Sequence, residues 1–243
     1  MPAVPPQAAA GARSGAGAVG APGYAVVDVE ATGRSPWRNR VVEVAVVLLD
    51  RVLQVEAEFS TLLDPGCPVG PTRVHRITQD EVAGAPRFRQ VAPRLLELLT
   101  GRLLVGHHVA CDHAFLEREF ARIGVVLPPV PTLCTMRLAR DQLPGAGGFG
   151  LRACAEAAGL PPFAAHTALG DARATAALLR HCAAQPAARP DGPPRWARAL
   201  GEAAALAWPR MVSAGAVPVW RRAADRGNAA GVPAVPGQAG GVA

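Results

Sequence analysis

Residues 24–63 carry three β-type runs in close succession, "YAVVDVE", "VVEVAVVLLD" and "QVEAEFSTLL", parted only by short polar breaks. Val, Leu and alternating polar residues favour extended chain, and the short breaks make the three runs an antiparallel meander. Beyond residue 85 the period changes. In "RFRQVAPRLLELLTG" the apolar positions recur at helical spacing, with Pro93 in the first turns and Gly101 as the stop. "RLLVGHH" reads as a short buried strand. It leads into "DHAFLEREFARIG", where Phe115, Leu116, Phe120 and Ile123 form a helical stripe that ends at Gly124. A strand or loop around Leu133, helices near 135–142 and 151–158, and a last helix over about 169–183 complete the series. Strands first and then alternation with helices give an α/β chain: a mixed sheet covered by helices.

Composition divides the 243 residues into three zones. Residues 1–23 are an Ala/Gly/Pro-rich leader expected to be flexible, 24–185 form the domain, and 186–243 return to Ala, Pro and Gly with room for one helix in "RWARALGEAAALAW". The domain nearly balances its charge, 17 Arg against 16 acids, whereas the tail has 7 Arg against 3 acids, so most of the net +6 lies there. Every basic residue is Arg and none is Lys, which weakens any inference from Arg enrichment alone. The five cysteines, Cys67, Cys111, Cys134, Cys154 and Cys182, form no Cys-x-x-Cys pair; neither a disulfide framework nor a thiolate zinc site is expected, and a reducing cytoplasm fits. The leader lacks the apolar stretch of a signal peptide, and no run of about 20 apolar residues suggests a membrane span.

The acids carry the chemistry. Asp28 and Glu30 are two apart on a strand and therefore point to the same side, where like charges demand a cation or a shared proton. Asp112 follows a later strand and opens a helix, Asp171 lies in the first turn of the last helix, and His166 precedes it by five residues. Sites in such sheets are built at strand ends and helix starts. Hydrolysis of a phosphodiester needs an activated water and a counter-charge, which two divalent cations about 3.5–4 Å apart supply together. Carboxylates are the hard oxygen ligands that Mg2+ or Mn2+ prefers. A histidine, with an ordinary pKa near about 6.5, suits the role of proton acceptor at neutral pH.

"DVEATG" (Asp28 to Gly33), "GHHVACD" (Gly106 to Asp112) and "HTALGDARAT" (His166 to Thr175) together resemble the three motifs of DEDDh-family 3′–5′ exonucleases. "VHRITQDEV" and "LCTMRLAR" are similar to the branch that contains the proofreading epsilon subunit of bacterial DNA polymerase III. The resemblance spans about residues 24–183. It implies a ribonuclease-H-like, five-stranded mixed sheet and release of nucleoside monophosphates from a 3′ end. It further implies that Asp28 bridges two cations, Mg2+ or Mn2+, that Glu30 and Asp171 complete one, that Asp112 supports the other, and that His166 is the general base. Ala31, Thr32 and Gly33 would receive the terminal nucleotide, helped by His75, and His108 would donate to a phosphate or sugar. Two positions depart from the family pattern: His108 stands where Asn is usual, and Cys111 where Phe is usual, so looser packing behind Asp112 is expected.

The implied substrate is a single-stranded 3′ end, DNA ahead of RNA, with an RNA-trimming exonuclease and a catalytically silent nucleic-acid-binding module as alternatives. Other readings are plainer. His107 and His113 read as structural, the "HHVACDH" run has too few assignable ligands for zinc, and Glu117 and Glu119 read as a solvated helix face. Trp196, Trp208 and Trp220 recur every twelve residues in the tail. They suit docking to a polymerase subunit or, with less support, a grip on single-stranded DNA; compositional filler is as well supported as docking.

Overall fold

The computed structural model describes residues 23–143, 145–185, 193–212 and 219–222. The expected leader lies outside the described residues apart from Gly23. At the centre of a five-stranded sheet runs β1 (Gly23–Ala31), between β2 (Val41–Leu49) and β4 (Arg102–Gly106). β3 (Val55–Leu62) flanks β2 and β5 (Thr132–Cys134) flanks β4, giving the order β3-β2-β1-β4-β5. The first three strands are the antiparallel meander read from the sequence. β4 and β5 run parallel to β1, because helices carry the chain across before each of them.

Register decides where the site falls. β1 pairs with β4 only from Gly23 to Val26, while its pairing with β2 continues to Ala31. The two parallel strands therefore part company just before Asp28. All nine residues of β2 are buried, an apolar run broken only by Glu43.

Helices cover both faces. α3 (Phe88–Leu99) and α4 (Ala110–Arg122) pack on one, where Phe88 and Phe120 meet edge to face with centroids 5.1 Å apart. α7 (Ala168–Ala184) packs against β1 and β2 on the other through Ala168, Ala172, Ala176 and Leu179. Its small residues let the helix approach the sheet closely. α5 (Thr135–Gln142) and α6 (Leu151–Ala157) close the end of α7. Pro93 sits in the second turn of α3, and Gly101 and Gly124 take left-handed φ values of 73° and 81° just beyond the helices they stop. The "VHRITQDEV" segment is not a plain loop: it holds two single-turn helices, α1 (Thr72–His75) and α2 (Gln79–Val82), the second started by a Thr78/Glu81 capping box.

One expectation is corrected. Glu119 is not on a solvated face; it is 1 % exposed, bonded by Arg40 through Nε and Nη2 at 2.8 and 2.9 Å and by Arg122 Nη1 at 3.0 Å. Four residues after Phe115 on α4, it shares the inward stripe and is satisfied there by two guanidinium groups and the Val41 N–H. The tail tryptophans pack on the domain itself. α8 (Pro193–Ala205) lays Leu200 and Ala203 into the core against β4, and Trp196, Trp208 and Trp220 each pack on a different apolar cluster of the described residues. Large aromatic surfaces that fit a protein interface here fit the protein's own flank. All five cysteines are free. Among the described residues, no helix is long and apolar enough to cross a membrane.

Candidate active site

Where β1 and β4 separate, the N–H of Val29 has no strand partner on that side, and Asp112 Oδ1 accepts it at 3.2 Å. That bond holds the first turn of α4 against the open end of β1 and brings Asp112 beside Asp28. Gly106, at the end of β4, permits the approach: a Cβ there would lie 3.3 Å from Asp112 Oδ2 and 3.1 Å from Val109. Cys111 is exposed, and Phe115 and Leu116, one turn on, supply the packing under the helix.

Asp171 comes from the opposite face. Thr167 caps α7 by accepting from the Gly170 N–H at 3.1 Å, so the helix begins in a fixed place and Asp171 falls in its first turn. Asp171 Oδ2 accepts the N–H of His166 at 3.2 Å, and His166 takes a left-handed φ of 61° that folds its ring back toward the acids. Glu30, His166 and Asp171 each offer a ligand atom within 4.8 Å of the others. An open cleft bordered by Arg152, Phe163, His166 and Asp171 leads to them.

The cluster resists full ionisation. Burial, then Asp112, Asp171, Glu30 and Glu43, hold Asp28 well above the usual carboxylate range. Burial, then Glu43 and Asp171, push Glu30 up to about 8. Burial raises Asp112 to about 7 against the opposing bond from Val29, and burial also raises Asp171. Asp171 Oδ1 is buried without a hydrogen-bond partner. Hard oxygen donors converging on one space, with an orphaned acceptor among them, fit a divalent cation.

The remaining expected residues divide. Ala31, Thr32 and Gly33 leave β1 as a turn pinned by paired bonds, Thr32 N–H to the Arg40 carbonyl at 2.8 Å and Arg40 N–H to Thr32 Oγ1 at 3.1 Å. Gly70 meets the backbone of this turn so closely that any Cβ would collide with the Thr32 carbonyl. His75 is corrected: it is 1 % exposed, its Nε2 faces the Val69 carbonyl at 3.2 Å and its Nδ1 accepts from the Ile77 N–H at 3.0 Å. Both ring nitrogens shape the loop and neither is offered to a nucleotide. His108 is exposed with φ 73°, a left-handed position that Asn and His tolerate better than most residues. His107 bridges Thr135 Oγ1 at 2.9 Å and the Phe149 carbonyl at 2.8 Å, the structural role read for it.

Sequence reasoning missed Glu43 and Arg222. Glu43 stands directly across from Glu30 in the β1–β2 register and is 3 % exposed. An acid in an otherwise apolar strand was the signal that singled out Asp28, and it applied equally to Glu43. Arg222 binds Glu43 through Nε and Nη2 at 2.8 and 2.5 Å, and nothing in the composition of the tail distinguished it.

A family model described as "Exonuclease" (RNase T) matches residues 25–179. DNA polymerase III subunit epsilon of Aquifex aeolicus is 33% identical over 159 residues, 64% of this chain and 78% of that protein. DNA polymerase III PolC-type of Clostridium perfringens is 32% identical over 159 residues, 65% of this chain but 11% of that much longer protein. Among solved structures, exonuclease X in complex with 5′ overhanging duplex DNA superposes with a TM-score of 0.52 at 28% identity, over 65% of this chain and 90% of that one. E. coli exonuclease I in complex with a dT13 oligonucleotide gives 0.58 at 19%, over 65% and 40%, a likeness of fold.

Proposed function

The chain belongs to the exonuclease family and is a 3′–5′ exonuclease, and from that premise we propose that it removes nucleoside 5′-monophosphates from single-stranded DNA 3′ ends with two Mg2+ or Mn2+ ions. One observation carries the reading: Asp28, Glu30, Asp112 and Asp171 converge from three elements, with Asp171 Oδ1 buried and unpartnered. In this reading Asp28 would serve both cations, Glu30 and Asp171 would hold one with it, and Asp112 would hold the other. The bound ions supply charge neutralisation at the scissile phosphate and a lowered pKa for the attacking water. His166, exposed on the cleft and hinged by its positive φ, accepts the water's proton. The pinned turn at Ala31, Thr32 and Gly33 orients the terminal nucleotide, and His108 donates to its phosphate or sugar.

DNA is favoured because the epsilon-type relative and the exonuclease X complex are named for DNA metabolism and DNA binding. The test uses labelled single strands of one sequence as DNA and as RNA, with Mg2+, Mn2+ or EDTA. Stepwise 3′ shortening of DNA that EDTA abolishes is expected. Equal or faster shortening of RNA overturns the substrate assignment, and activity in EDTA overturns the metal assignment.

A further inference from the structure

Residues 219–222 return from the tail to the side of the sheet that holds the site. Trp220 joins the edge of β3: its carbonyl accepts from Leu62 N–H at 2.7 Å, and its own N–H donates to Thr61 Oγ1 at 2.8 Å. Trp220 packs against the apolar cluster that holds Val42, Leu62, Ile77 and Val82, and its Nε1–H donates to the Glu81 carbonyl at 2.9 Å. So anchored, the strap delivers Arg222, 7 % exposed, into the space behind the acids.

There the guanidinium touches three separate segments of the chain at once. It grips both oxygens of Glu43 on β2, its Nη1 donates to the His75 carbonyl at 2.6 Å, and its Nη2 reaches the His166 carbonyl at 3.3 Å. Glu43 Oε2 in turn accepts the N–H of Ala168, the first residue of α7, at 2.8 Å. His166 is thus held on both sides of its Cα: its N–H by Asp171 and its carbonyl by Arg222. At φ 61° His166 holds a left-handed conformation that costs most non-glycine residues and that histidine tolerates better, and these two bonds fix it there.

We infer that Arg222 is a positioning residue for His166, so that the working site is completed by a strap from beyond the segment matched by the exonuclease family. That match ends at residue 179. The inference rests on the reading of His166 as the base. A planar fork with five donors suits the task, since it engages a carboxylate and two carbonyls together where an ammonium cannot span them.

The test is a double-mutant cycle on the full-length protein with saturating Mg2+. Arg222→Met should lower kcat by about 10- to 100-fold, the scale of a misplaced catalytic group, with KM changed less than about threefold. Arg222→Lys, which keeps the charge beside Glu43, should fall between. In a His166→Ala background, Arg222→Met should add less than about threefold. Hydrogen exchange of metal-free protein should quicken over residues 164–170 and not in the β1–β2 pair. Trp220→Ala, which loosens the strap outside the site, should reproduce both effects in weaker form and carries the test if Arg222→Met does not fold. Losses that multiply with His166→Ala, or unchanged kcat and unchanged exchange over 164–170, overturn the inference. If His166→Ala alone keeps the wild-type rate, the base assignment fails, while the exchange measurement still judges the clamp.

Discussion

Neutralising Glu30 should stabilise the metal-free protein while destroying its activity. Glu30 has an ordinary pKa of 4.5 and is driven to about 8 by burial, Glu43 and Asp171. Its folded pKa lies above the unfolded one, so the stability it contributes is fully present below about pH 4.5 and is lost as pH rises through 8. At about 1.4 kcal/mol per pKa unit, holding the charge above pH 8 costs on the order of 5 kcal/mol for an isolated group. Relaxation toward the open cleft brings the expected effect of Glu30→Gln at pH 8.5 to about 2–3 kcal/mol, a Tm rise of roughly 5–10 °C for a chain of this size. His75 and His107 have lowered pKa values, chiefly from burial, and their contribution is lost as pH falls. They act below about pH 6.5 in the opposite direction, so the window from pH 7 to 8.5 isolates the carboxylates. Thermal unfolding in EDTA across that window should show the wild type losing stability with pH and Glu30→Gln losing less, since Asp28 and Asp112 still lose their protons there. Mg2+ should then raise the wild-type Tm more than the variant's. A wild type whose metal-free stability is flat from pH 7 to 8.5, or a Glu30→Gln protein no more stable than wild type at pH 8.5, refutes the reasoning.

Asp28→Ala and Asp171→Ala should each abolish exonuclease activity while circular dichroism shows an intact fold; a wild-type rate in either removes that residue from the cation site. His166→Ala should lose roughly 10²- to 10⁴-fold in rate and flatten the acidic limb of the pH–rate profile, compared at several Mg2+ concentrations because metal binding also weakens in acid. An unchanged acidic limb assigns the titration to another group. Glu119→Ala should cost about 3–5 kcal/mol in urea unfolding, since it strands the Arg40 and Arg122 guanidinium groups around a cavity. A loss below about 1 kcal/mol would show that water replaces the carboxylate.

The sheet and the helices were legible because each is written in local periodicity, and the meander followed from the short breaks between the first three runs. The five acid and imidazole groups were legible for different reasons: Asp28 and Glu30 stand out as acids in a valine-rich strand, whereas Asp112, His166 and Asp171 were marked by their places at a strand end and helix starts and by the motifs that resemble the exonuclease family. What escaped depends on long-range geometry. Glu119 looks like any helix-surface acid until α4 is docked and Arg40 is seen 79 positions earlier in the chain. His75 looks like a ligand-reaching loop residue until its backbone neighbours are found within its own turn. The tail shows the limit most sharply, because its tryptophans and arginines have the composition of an interface whichever surface they meet. Only the folded chain shows that Trp220 meets β3 and that Arg222 meets Glu43, 179 residues away. That pairing also explains why a strand can place Glu43 opposite Glu30. Two carboxylates in direct cross-strand register repel, and the cation that lets them coexist comes from the far end of the described chain, leaving Glu30 to face the cleft.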